Sequence, residues 1–140
     1  MAKDFKLHAD GANAGLDGLG ATYNSGALKF YAPGTGGIPA TAATALTDQV
    51  LLCTITLPAS AFAAASGGSI AKAGTWSGSV AESDTPTFYR VEASASTDVV
   101  AQGTVGLDTG DFDIEFDSVT WLAGGTVTVD TYTLTLPLSS

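Results

Sequence analysis

Acidic residues at every second position, Asp111, Asp113, Glu115 and Asp117, are the densest set of groups in the chain that could do chemistry. In an extended strand a period of two places them on one face and Phe112, Ile114 and Phe116 on the other. Successive carboxylates then stand about 6.6–7 Å apart at the backbone, a row of like charges that could attract a hard cation such as calcium. A calcium site, however, wraps about six to eight oxygens around one ion from a loop, whereas a flat strand presents its ligands in a row. The expectation is a solvated or partner-facing acidic strand that discourages edge-to-edge aggregation. Calcium at Asp111, Asp113, Glu115 and Asp117, or a catalytic carboxylate pair, is the lesser alternative.

The rest of the reactive inventory is sparse. His8 is the only histidine, so a multi-histidine metal site is ruled out and a Ser-His-Asp triad would need a base near the start of the chain. Cys53 is the only cysteine, so no intrachain disulfide forms. Its setting, Val50-Leu51-Leu52-Cys53-Thr54-Ile55, is that of a small buried hydrophobe rather than a reactive thiol. Asp108-Thr109-Gly110 matches the triplet of aspartic protease active sites, but it occurs once and its surroundings do not match, so it reads as a turn. Gly34-Thr35-Gly36-Gly37 lacks the lysine and following helix of a phosphate-binding loop. Trp76 and Trp121 offer either a sugar-stacking platform or core and interface anchors. This inventory predicts no cofactor, no resident metal and no enzyme.

Charge narrows the partners. Five Lys and Arg against fourteen Asp and Glu give a formal net charge of −9, which repels a nucleic-acid backbone. Lys3, Lys6, Lys29, Lys72 and Arg90 are scattered, without the basic and aromatic stripe of a single-strand platform or an anionic-membrane patch. The first residues contain no apolar run of signal-peptide length, and no stretch is long and apolar enough to span a bilayer, so the expected product is soluble and made in the cytoplasm. Its 140 residues suit one domain with a self-sufficient core, filled and surfaced by small residues.

The elements that must position these groups are short. Residues 1–25 form an N-terminal arm or short helix: Ala12, Leu16, Leu19 and Tyr23 fall at helical spacing. Gly11, Gly15, Gly18 and Gly20, however, each cost about 1 kcal/mol, so the segment needs a docking surface to order. Residues 26–140 form a β domain. Strands are expected at 27–31, at 48–57 as the central strand, and at 69–72, 75–81 and 87–93 as consecutive antiparallel strands. Further strands are expected at 99–105, 111–117 and 126–136, the last with a bulge near Asp130 where its alternation changes phase. Ala-rich residues 59–68 suggest one or two helical turns. Strands punctuated this way predict an all-β fold, an antiparallel β-sandwich or jelly-roll-like barrel.

In order along the chain come Ser25-Gly26-Ala27-Leu28-Lys29-Phe30-Tyr31, Pro33-Gly34-Thr35, Leu51–Leu57, Ser60-Ala61-Phe62, Ala65-Ser66-Gly67, Gly74-Thr75-Trp76 and Thr87-Phe88-Tyr89-Arg90-Val91. This series, spread over most of residues 9–136, resembles small virion proteins of tailed bacteriophages, the head decoration and minor capsid components. The resemblance implies a structural protein on the capsid surface that stabilises the shell by multivalent binding to the major capsid protein. It implies a homo-oligomer, with a trimer favoured. On that reading Lys3, Phe5, Lys6 and Leu7 dock onto the shell, and Trp76 and Trp121 are further partner-binding residues. The alternative is a tail, neck or fibre component that touches glycans through the tryptophans.

Overall fold

The computed structural model describes residues 6–136, so Lys3 and Phe5 lie outside the described residues. In chain order the elements are α1 (Ala9–Ala21), β1 (Ala27–Ala32), β2 (Val50–Thr56), β3 (Ser69–Ala71), β4 (Trp76–Ser79), β5 (Phe88–Glu92), β6 (Val99–Leu107), β7 (Ile114–Phe116), β8 (Thr126–Val129) and β9 (Thr133–Thr135). Among the described residues the protein is mostly β, with one short helix.

The glycine-rich N-terminal segment is helical because it has a surface to lie on. Ala12, Leu16 and Gly20 are buried, and the helix packs on β3. A Cβ on Gly20 would stand 2.9 Å from Ile70 and 3.1 Å from Phe62, so glycine is what lets the backbone come this close. Two helix side chains also accept hydrogen bonds from the facing loop, Asp17 from the Ala65 N–H and Asn13 from the Gly68 N–H. Leu19, expected on the apolar stripe, is instead exposed.

The main sheet has the order β2-β1-β5-β6-β7. β1 and β5 are its central strands, and β2, expected there, lies at one end. That end is not open, because Cys53 bridges to Val80 just beyond β4. The strands expected to be consecutive neighbours are distributed instead: β3 pairs with β9, β4 with β8, and β5 with β1 and β6. The phase change at Asp130 is likewise a change of partner and not a bulge, since β8 ends at Val129 on β4 and β9 resumes at Thr133 on β3. Residues 59–68 form no helix. They run irregularly through a Phe62–Lys72 bridge and a Ser66–Ser69 turn, because Ala61 must reach the core and the Ala61 N–H donates to the Asn24 side chain.

Each face of the sheet is covered. On one side Leu28, Phe30, Leu52, Cys53, Ile55, Tyr89 and Val91 join Trp76, Trp121, Val127, Val129 and Tyr132 in a single core. At its centre the Tyr132 hydroxyl meets those of Tyr23 and Tyr89, each at 2.8 Å, which satisfies polar atoms that burial would otherwise penalise. On the other side Tyr31 stacks on Phe88 at 5.1 Å, and Arg90, beside them, is buried under the loop of residues 33–49.

Candidate functional site

The acidic segment does not form the continuous strand its alternation suggests. Only Ile114–Phe116 is extended, and β7 runs parallel to β6 rather than antiparallel. The cause lies in two of the carboxylates. Asp113 Oδ2 accepts from the Thr104 N–H at 2.8 Å and from the Thr104 hydroxyl at 3.1 Å, and Glu115 accepts from the Phe112 N–H at 3.3 Å. These bonds turn residues 111–113 out of register, as local side-chain bonds to backbone do when they compete with a ladder. Phe112, expected inside with Ile114 and Phe116, is 41% exposed, while Ile114 is buried and Phe116 half-buried. Among the described residues no three metal-ligating side chains gather where one ion could be held, so Asp111, Asp113, Glu115 and Asp117 are not brought together as a calcium site.

What the turn builds instead is a groove. Ile38, Pro86, Thr87, Val105, Gly106, Leu107, Phe112 and Val119 line an apolar depression of about 470 Å³ together with neighbouring threonines and Gly110. The Phe112 ring lies across β6 because two glycines make room for it. A Cβ on either Gly106 or Gly110 would collide with the ring. Ile38, Leu107 and Phe112 are each about two-fifths exposed, an unusual concentration of large apolar side chains on this threonine-rich surface. The exposed carboxylates of Asp84, Asp108, Asp111, Asp113 and Glu115 follow or interleave the lining residues in sequence. Among the described residues no lysine or arginine lines the groove.

The tryptophans are core residues. Trp76 is fully buried, its indole N–H donating to the Ala73 carbonyl. Trp121 is also buried, with Phe30 and Phe116 packed edge-on to it at 5.3 and 5.2 Å and its N–H donating to the Ser118 carbonyl. Neither ring presents a face for sugar stacking, which corrects their expected partner-binding role. Sequence type could not separate these readings, because a buried tryptophan and a platform tryptophan carry the same apolar body and polar handle.

His8 and Cys53 serve the fold. His8 caps α1, its Nδ1 accepting from the Asp10 N–H at 3.2 Å. Cys53 is buried, and desolvation pushes its thiol up to about 11, far from the thiolate that nucleophilic chemistry needs. Of the residues expected to dock, Lys6 is exposed and Leu7 half-buried at the foot of α1, beside Gly11.

Two polar residues matter more than their sequence context suggests. The glycine loop at residues 34–37 is an anion cradle, and the anion is the chain's own: Asp48 accepts from the Thr35 N–H, the Thr35 hydroxyl and the Gly36 N–H. Those bonds hold its carboxyl well below the usual carboxylate range. Gly34 has φ +54° and approaches the Asp48 carbonyl too closely for any Cβ. Arg90 fastens the far side of the same loop. Its Nη2 donates to the Thr44 carbonyl at 2.5 Å and to the Thr41 carbonyl at 3.3 Å, and its Nε donates to Gln102, which itself donates to the Pro39 carbonyl. The available signal for Arg90 was its place on the face of β5 opposite Tyr89 and Val91. For Asp48, thirteen residues from Thr35, there was none.

Compared with family models, with curated proteins and with solved structures, the chain gives no match.

Proposed function

We propose that the chain is a structural virion protein of a tailed bacteriophage that decorates or stabilises the capsid by multivalent binding to the major capsid protein. The observation that carries this reading is where the resembling residues lie. Ala27–Tyr31, Leu51–Leu57 and Phe88–Val91 supply nearly all of β1, β2 and β5, three strands paired side by side, so the resemblance concerns a load-distributing frame and not a chemical centre. The fate of the reactive groups supports the same reading: His8 caps a helix, Cys53 and the tyrosine hydroxyls are buried, and Asp48 is spent on a loop. We accordingly read the protein as non-catalytic and without a cofactor, acting on the capsid surface as a homo-oligomer, with a trimer favoured.

We read the β domain as sandwich-like. The five-stranded sheet provides one layer, and the β3–β9 and β4–β8 ribbons, which bring Ile70, Trp76, Val127 and Val129 inward, provide the other. A particle surface suits such a body: each copy contributes a modest contact, and the symmetry of the shell multiplies it.

Separating purified particles into heads and tails and identifying this chain by mass spectrometry tests the placement. The reading predicts the protein in the head fraction at high copy number. Recovery in tails would replace decoration by a tail, neck or fibre role, and absence from particles would end the virion reading.

A further inference from the structure

The groove of about 470 Å³ is lined by β6, by residues 85–87 just before β5, and by the 109–112 turn. Its apolar lining comes from Ile38, Pro86, Val105, Leu107, Phe112 and Val119, and a volume of this order takes a large side chain with its flanking backbone. Ile38, Leu107 and Phe112 leave that lining partly open to solvent. The hydroxyl of Thr87, also in the lining, is buried without a hydrogen-bond partner, a cost that an occupant bearing polar groups relieves.

Five carboxylates border this lining, each tied to it by a hydrogen bond or by its place in the chain. Asp84 accepts from the Thr85 N–H at 2.7 Å, Asp113 from the Thr104 N–H and hydroxyl, and Glu115 from the Phe112 N–H. Asp108 stands between Leu107 and Thr109 in the chain and Asp111 between Gly110 and Phe112, and all four neighbours are lining residues. All five are exposed, and no lysine or arginine lines the groove to offset them. An apolar lining inside an acidic rim suits a large apolar side chain flanked by cations. Arginine fits best, because its guanidinium both pairs with carboxylates and stacks on a ring such as that of Phe112. A second copy, with a formal net charge of −9, brings the wrong sign. We propose that the groove binds an arginine-bearing segment of a separate protein, with a large apolar side chain seated against Leu107 and Phe112 and the flanking arginines among the rim carboxylates. The site does not depend on the virion reading.

Amide chemical shifts of the isotope-labelled full chain, followed as end-blocked peptides are added, test it. The probe is Gly-Arg-Trp-Arg-Gly, with the charge-reversed Gly-Glu-Trp-Glu-Gly and the anchorless Gly-Arg-Ser-Arg-Gly as comparisons. The probe shifts the amides of Thr85, Thr87 and residues 104–112 saturably, its binding weakens as salt rises, and each comparison peptide binds at least about tenfold more weakly. Asp108→Lys with Asp111→Lys, two exposed positions, weakens the probe by the same factor. Groove amides that do not move at millimolar probe, shifts centred elsewhere, a salt-insensitive affinity, equal binding of either comparison peptide, or a folded rim variant that binds like the wild type would each overturn the proposal. Groove amides that move when the protein alone is diluted would overturn it in favour of a second copy. The peptide comparison and the salt series need no variant, so a rim variant that failed to fold would not shield the proposal.

Discussion

At the scale of single residues, the molecule spends polar groups on holding its own loops. Arg90 is the sharpest case: a buried guanidinium whose donors meet the Thr41 and Thr44 carbonyls and Gln102. Hydrogen bonds to a charged group contribute about 1.5–3 kcal/mol each, and the vacated carbonyls would be left under a closed loop. Arg90→Ala is therefore expected to lower unfolding free energy by about 2–4 kcal/mol, read from urea midpoints, and Arg90→Lys to recover little, because an ammonium cannot span the same acceptors. The Tyr23–Tyr132–Tyr89 hydroxyl chain makes a second case. Tyr132→Phe strips two buried hydroxyls of their shared partner and is expected to cost about 1–3 kcal/mol. Neither role was legible in sequence, since Arg90 reads as a scattered base and Tyr132 as one more alternating apolar residue. The local alternation of Phe88 and Arg90 against Tyr89 and Val91 was legible, because a period of two survives wherever a strand has two different faces.

At the scale of elements, short-range pattern found most strands and missed how they pair. β1, β5 and β6 fall where alternation and turn residues put them, but pairing depends on contacts such as β4 with β8, separated by some fifty residues (Ser77 to Thr128, 51 apart). The acidic strand failed for a local reason, Asp113 capturing the Thr104 N–H, which hydrophobic periodicity does not register. The 33–49 loop carries a pH signature. Asp48 has a depressed pKa in the folded chain, so its contribution is present above the ordinary carboxylate value of 3.8 and is lost as pH falls through the lower folded value. Thermal midpoints measured from pH 5 downward should fall less steeply in Asp48→Asn than in the wild type. A parallel decline would detach the loop from the effect. Cys53 acts at the other end of the scale: its raised pKa stabilises the fold below the ordinary thiol value of 9.0, and that contribution is lost as pH rises toward about 11. Iodoacetamide should accordingly label Cys53 in the native protein only at the rate of global unfolding.

At the scale of the whole molecule, the helix and the β body are one packed unit, which alters how an N-terminal contact must be examined. Removing residues 1–20 would take the buried Leu16 away and strip Gly20 from Ile70 and Phe62, and so disturb the fold along with any binding. Composition made the gross character of the molecule readable: small residues, few charges and regular turn signals require a β body whose surface is largely uncharged. The layer arrangement was not readable, because a phase change such as that at Asp130 looks the same in sequence whether a strand bulges or changes partner. The central claim is tested most directly by adding purified protein to phage shells that lack it, sedimenting the shells and counting bound copies as concentration rises. Saturation at a copy number set by the symmetry of the shell, with greater resistance of the filled shells to heat, is the predicted result. Shells that sediment without the protein at every concentration would contradict it.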